Sequence, residues 1–530
     1  MDVKSGPHRR QLLLGSLAAT GLVLARPAAS FAPPPPFALG VASGDPADDG
    51  FVIWTRVVID PLAADGLGGV AGPVKVRWDV SEDEQFRRVV RQGEFTTRPD
   101  RAHAVHVELD GLRPDRDYWY RFTALGAQSA VGRGRTLPRE DAEVSALRLG
   151  FVSCSHWELG WFSAYRHLAE ERPDLILLLG DYIYEYSYTG RRADRTVRKH
   201  DQTGEVTTLA GYRNRYALYR TDPDLQALHA SAPCLMTWDD HEVENDYSGL
   251  LPQDVAEDAG FARRRAAAYQ AYYEHMPLRR ISRPTAVGMR LYKRFRFGRL
   301  AEITMLDGRQ YRSAPACPTP QSRRARVIGD ECLERLDPAR SMLGRAQERW
   351  LFDGFRRSDA RWNIIGQDLL ATSLRQKGAN GMVGHWTDGW DGYPATRDRM
   401  LAAMQLSRLS NPVILGGDIH SYWATDLKAD FRDPESRTIA TEFVGTGVTA
   451  DGPPYDDFMA MLPENPHVRY FESRRHGYVS VEVRRDRLEA RFQAISDRGD
   501  PAATVATLAA FAVEDGQPGA VASSPGSIAA

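Results

Sequence analysis

The chain carries almost no net charge. Its 530 residues include 68 Lys and Arg against 70 Asp and Glu, a formal balance of −2, so it exerts no bulk electrostatic pull on nucleic acid, and stable nucleic-acid binding is not expected. Long hydrophobic runs are also missing. The apolar segment at residues 12–25 falls short of the about 20 residues that cross a bilayer, and nothing later in the chain supplies such a span. Cysteine is scarce, with four in all, and no internal repeat is strong enough to organise the chain. What remains is the balance of a soluble globular protein, 42% hydrophobic and 26% charged. A single core stops growing near about 250 to 300 residues, so at least two domains are expected.

The N-terminus reads "HRRQLLLGSLAATGLVLARPAASFA". Paired Arg9 and Arg10, an apolar stretch and then small residues make a secretory signal of the twin-arginine kind, which exports proteins already folded. Residues 1–32 are therefore expected to be a signal peptide handled by the twin-arginine export machinery and cut between Ala28 and Pro33. The mature protein is then periplasmic or secreted. Export after folding also lets a cofactor be loaded before release. An oxidising compartment favours pairing of Cys317 with Cys332, which flank a polar loop. Cys154 and Cys234 lie at two strand ends, open to a second disulfide, to buried thiols or to a chemical role. The basic stretch "GRRADRTVRK" at residues 190–199 reads as a solvated face.

After the stiff "PPPP" at residues 33–36 come short alternating segments, "FVIWTRV", "VKVRWDVS", "HAVHVEL" and "DYWYRFTA", separated by Gly, Pro and Asp turns. They predict a small β-sandwich over residues 33–145. Within it "LDGLRPDRDYWYRFTA" resembles the corner of a fibronectin type III-like domain. The periodicity then changes. "LRLGFVSCS", "GWFSAYRHLAEERP" and "DLILLLGD" read as strand, helix and strand with both strands buried on two faces, a β-α-β unit. Further strands and helices follow, so residues 146–505 are expected to form an α/β catalytic domain. Residues 506–530 are expected to be a tail, small and polar from Gln517 onward and disordered there.

Four apolar strands end in metal-ligand residue types: Cys154 after "LGFVS", Asp181 and Tyr184 after "LILLLG", Asp239 and Asp240 after "CLMTW", and Asp418 with His420 after "VILGG". Open α/β sheets bind ligands beyond the carboxyl ends of their strands, so the clusters can meet on one edge. A lone strand-end Asp is more often a helix cap, and the alternating Tyr182, Tyr184, Tyr186 and Tyr188 also fit a plain aromatic face. The weight lies in the coincidence of several such ends.

"GDYIY" fits the Gly-Asp-x-x-Tyr element of purple acid phosphatases and calcineurin-like metallophosphoesterases. Together with "FVSCSHWELGWFSAYRHLAEERPDLILLLGDYIYEY", "MTWDDHEVENDY", "DGRQYRS", "DGWDGYP" and "GGDIHSYW", the chain resembles the alkaline phosphatase D family over nearly its whole length. The resemblance implies a four-layer α-β-β-α metallophosphoesterase sandwich behind the small β-sandwich. It implies Fe3+ held by Cys154, Asp181, Tyr184, Asp418 and His420. It also implies Ca2+ beside it, bridged by Asp181 and bound by Asn245 and Asp240, in a binuclear or larger cluster. The wider superfamily shows Gly-Asn-His-Asp/Glu and Gly-His-x-His where this chain has "WDDHEVEN" and Gly-Asp-Ile-His. The second change favours an oxygen-rich site, which suits calcium.

The activity so implied is alkaline phosphatase: hydrolysis of monoesters, diesters or both by metal-activated hydroxide, with His241 at the site and Arg309 of "DGRQYRS" holding a phosphate oxygen. The loop "HWTDGWDGYP" would cover or shape that site. Substrates would be small-molecule, lipid or nucleotide phosphoesters, and the protein a monomer. The alternatives are a phosphodiesterase or phospholipase D-like enzyme on the same fold, and an inactive binding protein.

Overall fold

The computed structural model describes residues 36–188, 195–199, 204–379 and 381–523. The expected signal peptide and part of the basic stretch lie outside them. Among the described residues, no helix is long and apolar enough to cross a membrane.

The run Leu175–Leu179 shows how the layers arise. Its residues alternate between two apolar environments: Leu175, Leu177 and Leu179 enter the core between two sheets, while Ile176 and Leu178 sit under helices. A strand buried on both faces must be apolar at every position, which is why the run is continuous. It pairs in parallel with Ala146–Val152 on one side and Cys234–Thr237 on the other, at the centre of a ten-stranded sheet.

A second, seven-stranded sheet has the parallel strands Ala301–Met305, Trp362–Gly366, Pro412–Gly416 and Thr438–Val444 in its middle. Ile303, Ile364, Leu415 and Phe443 meet Phe151, Leu177 and Val479 of the first sheet. Helices Ser163–Glu170, Leu209–Arg220 and Asp258–His275 cover the outer face of the first sheet. Gly344–Arg357 and Pro394–Ser407 cover the second. The expected α-β-β-α order is thus present.

The structure departs from expectation at both ends of the catalytic region. Strands Val41–Gly44, Val52–Arg56 and Ala104–Glu108 continue the ten-stranded sheet beyond Cys234–Thr237. A five-stranded sheet including Lys75–Ser81 and Asp117–Ala124 closes over them around Phe51, Ile53, Val76, Val80 and Phe122. The small sandwich therefore exists, but one of its sheets is also an edge of the catalytic sheet, and position 145 is no structural divide. Its fibronectin-like corner is built as the sequence suggests, with the Arg113 amide donating to Tyr118 Oη at 2.9 Å.

The expected tail is instead two strands, Val505–Glu514 and Gln517–Ala522, on the other edge of the same sheet. Phe511 and Val513 reach the inter-sheet core. The alanines around them blur the alternation that marks a strand.

Cys317 and Cys332 form a disulfide. Cys154 and Cys234 are free and buried. Cys234 opens its strand, whereas Cys154 lies beyond the end of Ala146–Val152. They sit at opposite ends of two parallel strands that Leu175–Leu179 separates, which excludes a second bond. Phe511→Ala should cost about 3 kcal/mol, read as a fall in the urea midpoint, because it empties a core position; a residue in a loose tail would leave the midpoint where it was.

Candidate metal centre

All the strand-end clusters converge on one edge, and the backbone there is unusual. Cys154 (φ 61°), Asp181 (52°), Asp246 (59°), Asp418 (64°) and His420 (52°) are left-handed although none is glycine. Such residues concentrate where surrounding contacts over-determine the conformation, above all at functional sites. Gly180 lets two of the turns approach: a Cβ there would stand 2.4 Å from Asp239 Cβ. Glu242, fully buried, ties the same turns together by accepting from the amides of Asp181 (3.2 Å), Tyr182 (2.6 Å) and Asp239 (2.9 Å).

Three groups of ligand atoms, each within 4.8 Å of one another, result: Cys154, Asp181 and His420; Asp181, Asp240 and His241; Asp240, Asp246 and Asp388. Asp181 belongs to the first two and Asp240 to the last two. Tyr184 Oη joins the first group, donating to Asp181 Oδ2 at 2.8 Å and lying 3.1 Å from His420 Nε2.

Both histidines have Nδ1 held by an acceptor. His420 Nδ1 donates to the Asp451 carbonyl at 2.8 Å, and His241 Nδ1 donates to Glu185 Oε2 at 2.7 Å, so each presents Nε2 inward. A second partner orienting an imidazole in this way is characteristic of metal-binding histidines. Asn245 donates its backbone amide to Glu185 Oε1 at 2.9 Å and its side-chain Nδ2 to Gln253 at 3.1 Å. That leaves its carbonyl oxygen as a possible ligand on the wall of the shared cavity. Asp418 lines the same cavity, with Oδ1 3.7 Å from Arg309 Nη2, and lies outside the three groups.

One expectation changes. Arg309 is fully buried and absent from the cavity wall, so it does not present a face to a phosphate. Its guanidinium pairs with Asp239 through Nε and with Asp388 at 2.7 Å through Nη1, with Asp368 at 3.5 Å. It is the internal counter-ion of the acid cluster. His241, expected at the site, stands there among candidate ligands with Asp181 and Asp240. The sequence reading also passed over Glu185, Glu242, Asp246 and Asp388 as site residues. Glu185, Glu242 and Asp246 each adjoin a residue that was singled out, and Asp388 lies in the loop expected to shape the site, but carboxylates in a polar loop look alike until the fold brings them together.

The cluster's own cations leave some of its carboxylate oxygens unpaired. Asp181 Oδ1, Asp239 Oδ2 and Asp240 Oδ1 are buried without a hydrogen-bond partner. Burial, and then neighbouring carboxylates against the opposing pull of Arg309, drives Asp239 and Asp418 well above the usual carboxylate range. Burial with Asp388 and Asp240 pushes Asp246 up to about 7. Burial and Asp181 likewise raise the Cys154 thiol and the Tyr184 phenol. A buried acid cluster of this kind is stabilised by cations, which reverse every one of these shifts. Thiol, phenol, imidazole and carboxylate around Asp181 form a donor set for a transition metal, and the oxygen-rich groups around Asp240 suit a hard divalent cation.

The family model described as PhoD-like phosphatase matches residues 149–492, and that for its N-terminal domain matches 24–138. The chain belongs to the PhoD-like phosphatase family. Alkaline phosphatase D of Bacillus subtilis (strain 168) is 42% identical over 496 residues, covering 91% of this chain and 82% of its own length. A solved structure of PhoD aligns with a TM-score of 0.86 at 40% identity over 94% of both chains. Purple acid phosphatase 13 of Arabidopsis thaliana is 28% identical over 154 residues, 26% of this chain and 27% of its own. As a PhoD-like phosphatase the protein is a phosphoric ester hydrolase, and the cavity above its candidate ligands, of about 400 Å³, is where a phosphoester has room.

Glu185→Ala removes the buried acceptor shared by His241 and Asn245. It should cost about 2 kcal/mol in the chelator-treated protein, by denaturant midpoint, and should lower the metal retained after desalting.

Proposed function

We propose that this PhoD-like phosphatase is a metal-dependent alkaline phosphatase acting on small phosphoesters, with Fe3+ at the Cys154, Asp181, Tyr184 and His420 group and Ca2+ at the Asp240 groups. The observation that carries the reading is the sharing of Asp181 between a soft, mixed donor set and an oxygen-rich one. Asn245 completes the second set through its amide oxygen, and Asp418 flanks the first. Bound there, the cations supply positive charge that acidifies a water and neutralises a phosphoryl group.

The chain's own residues do the rest. His420 Nε2 and His241 Nε2 are held as lone-pair donors by protons fixed on Nδ1. Asp181 is held in place by Glu242 through its amide, and Arg309 and Arg312 clamp Asp388 at 2.7 and 2.6 Å.

The twin arginines Arg9 and Arg10 and the Cys317–Cys332 bond support export of the folded protein to the periplasm or medium, where disulfides persist. Metal analysis tests the assignment directly. Chelation should abolish hydrolysis of phosphomonoesters and diesters, and added calcium should restore it. The purified protein should absorb visible light through tyrosinate or thiolate charge transfer to iron, with Tyr184→Phe shifting or removing the band; a colourless, iron-free and fully active enzyme would sink the ferric assignment.

A further inference from the structure

Above the candidate ligands the cavity changes character. Its floor is carboxylate, imidazole and amide, while its wall includes Val327, Leu370, Leu374, Trp386, Ile419 and Phe458. Val327 and Trp386 are cross-strand partners in a three-stranded sheet that is separate from both main sheets. Trp386 is 36% exposed. A large aromatic left open on a cavity wall carries information that a scattered surface residue does not.

The flap that carries Trp386 is built to hold its shape. Strand Val327–Ile328 pairs with Val383–Trp386, which also pairs with Gln376–Lys377. Ile328 packs with Ala316 and Cys332 beside the Cys317–Cys332 bond. The Arg326 and Thr387 backbones are also joined, with the Thr387 amide donating to the Arg326 carbonyl at 3.0 Å.

Two acidic side chains on the wall are already engaged. Asp391 pairs with Arg397 at 2.7 Å, and Asp451 pairs with Arg195 at 3.0 Å and with Arg498. The volume of about 400 Å³ falls in the range of about 300 to 1,000 Å³ that holds a whole organic ligand, which is far more than orthophosphate needs.

We infer that this flap is a leaving-group subsite, in which Trp386 determines specificity by stacking on a flat apolar or aromatic alcohol esterified to the phosphate. The inference rests on the phosphoesterase activity and names the part of the substrate that the metal groups do not select. An aromatic contact of this kind contributes up to about 1.5 kcal/mol, a factor of about ten.

Two measurements on the metal-supplied full chain test it. In the first, kcat/KM is compared for 1-naphthyl phosphate and glycerol 3-phosphate in the wild type, Trp386→Ala and Trp386→Phe. The naphthyl-to-glyceryl ratio should fall about ten-fold in Trp386→Ala, through KM more than kcat, and be largely retained in Trp386→Phe. In the second, calorimetry on the wild type should show phenylphosphonate binding about ten-fold tighter than methylphosphonate, a comparison that needs no variant to fold. A substrate ratio within two-fold of wild type in Trp386→Ala, or equal binding of the two phosphonates, overturns the subsite. Hydrolysis of neither ester would overturn the phosphoesterase reading instead, with the phosphonate comparison still deciding the subsite.

Discussion

Buried negative charge governs this molecule. Asp181, Asp239, Asp240, Asp246, Asp368, Asp388 and Asp418 gather around Arg309 and Arg312 in a region closed to bulk water on most sides. Leaving one ionised carboxylate unpaired in such a place is already unfavourable, and a cluster is far more so. The protein meets part of that demand itself. Arg309 is spread over several carboxylates, Glu242 and Glu185 are occupied with amides and an imidazole, and the remaining deficit is what cations would fill. A guanidinium that looks from its motif like a phosphate clamp is consumed by this requirement.

The layered fold follows from where those carboxylates must stand. Parallel strands deliver their carboxyl ends to one edge, so candidate ligands far apart in the chain, such as Cys154 and His420, become neighbours. The turns that carry them are left-handed at several non-glycine residues, a conformation held by the packed sheets beneath. The broad core around Leu177, Phe151, Ile364 and Phe443 supplies that support. The sandwich strands and the C-terminal strands extend the same sheet at both edges, so they stiffen the platform instead of forming separate bodies. Above it, the disulfide-braced flap meets the acid floor with an apolar wall, and one cavity combines a site for charge with a site for carbon.

The sequence by itself determined the layers and pointed to most of the candidate ligands that the fold brings together. Continuous apolar runs ending in Asp, Cys or His demanded strands buried on both faces, and such strands bring Cys154, Asp181, Asp240 and His420 to one edge. It also anticipated the Cys317–Cys332 bond and the sandwich strands. Only the tertiary structure decided that Phe511 belongs to the core, because alanine-rich alternation carries little contrast. It alone decided that Cys154 and Cys234 lie at opposite ends of their sheet, that Arg309 faces inward, and that Asp246, Asp388, Glu185 and Glu242 join the site. The physical reason is common to all of these. Hydrophobic periodicity is a local property that a chain displays residue by residue, whereas the partner of a buried charge is set by distances between segments that meet only when the sheets pack.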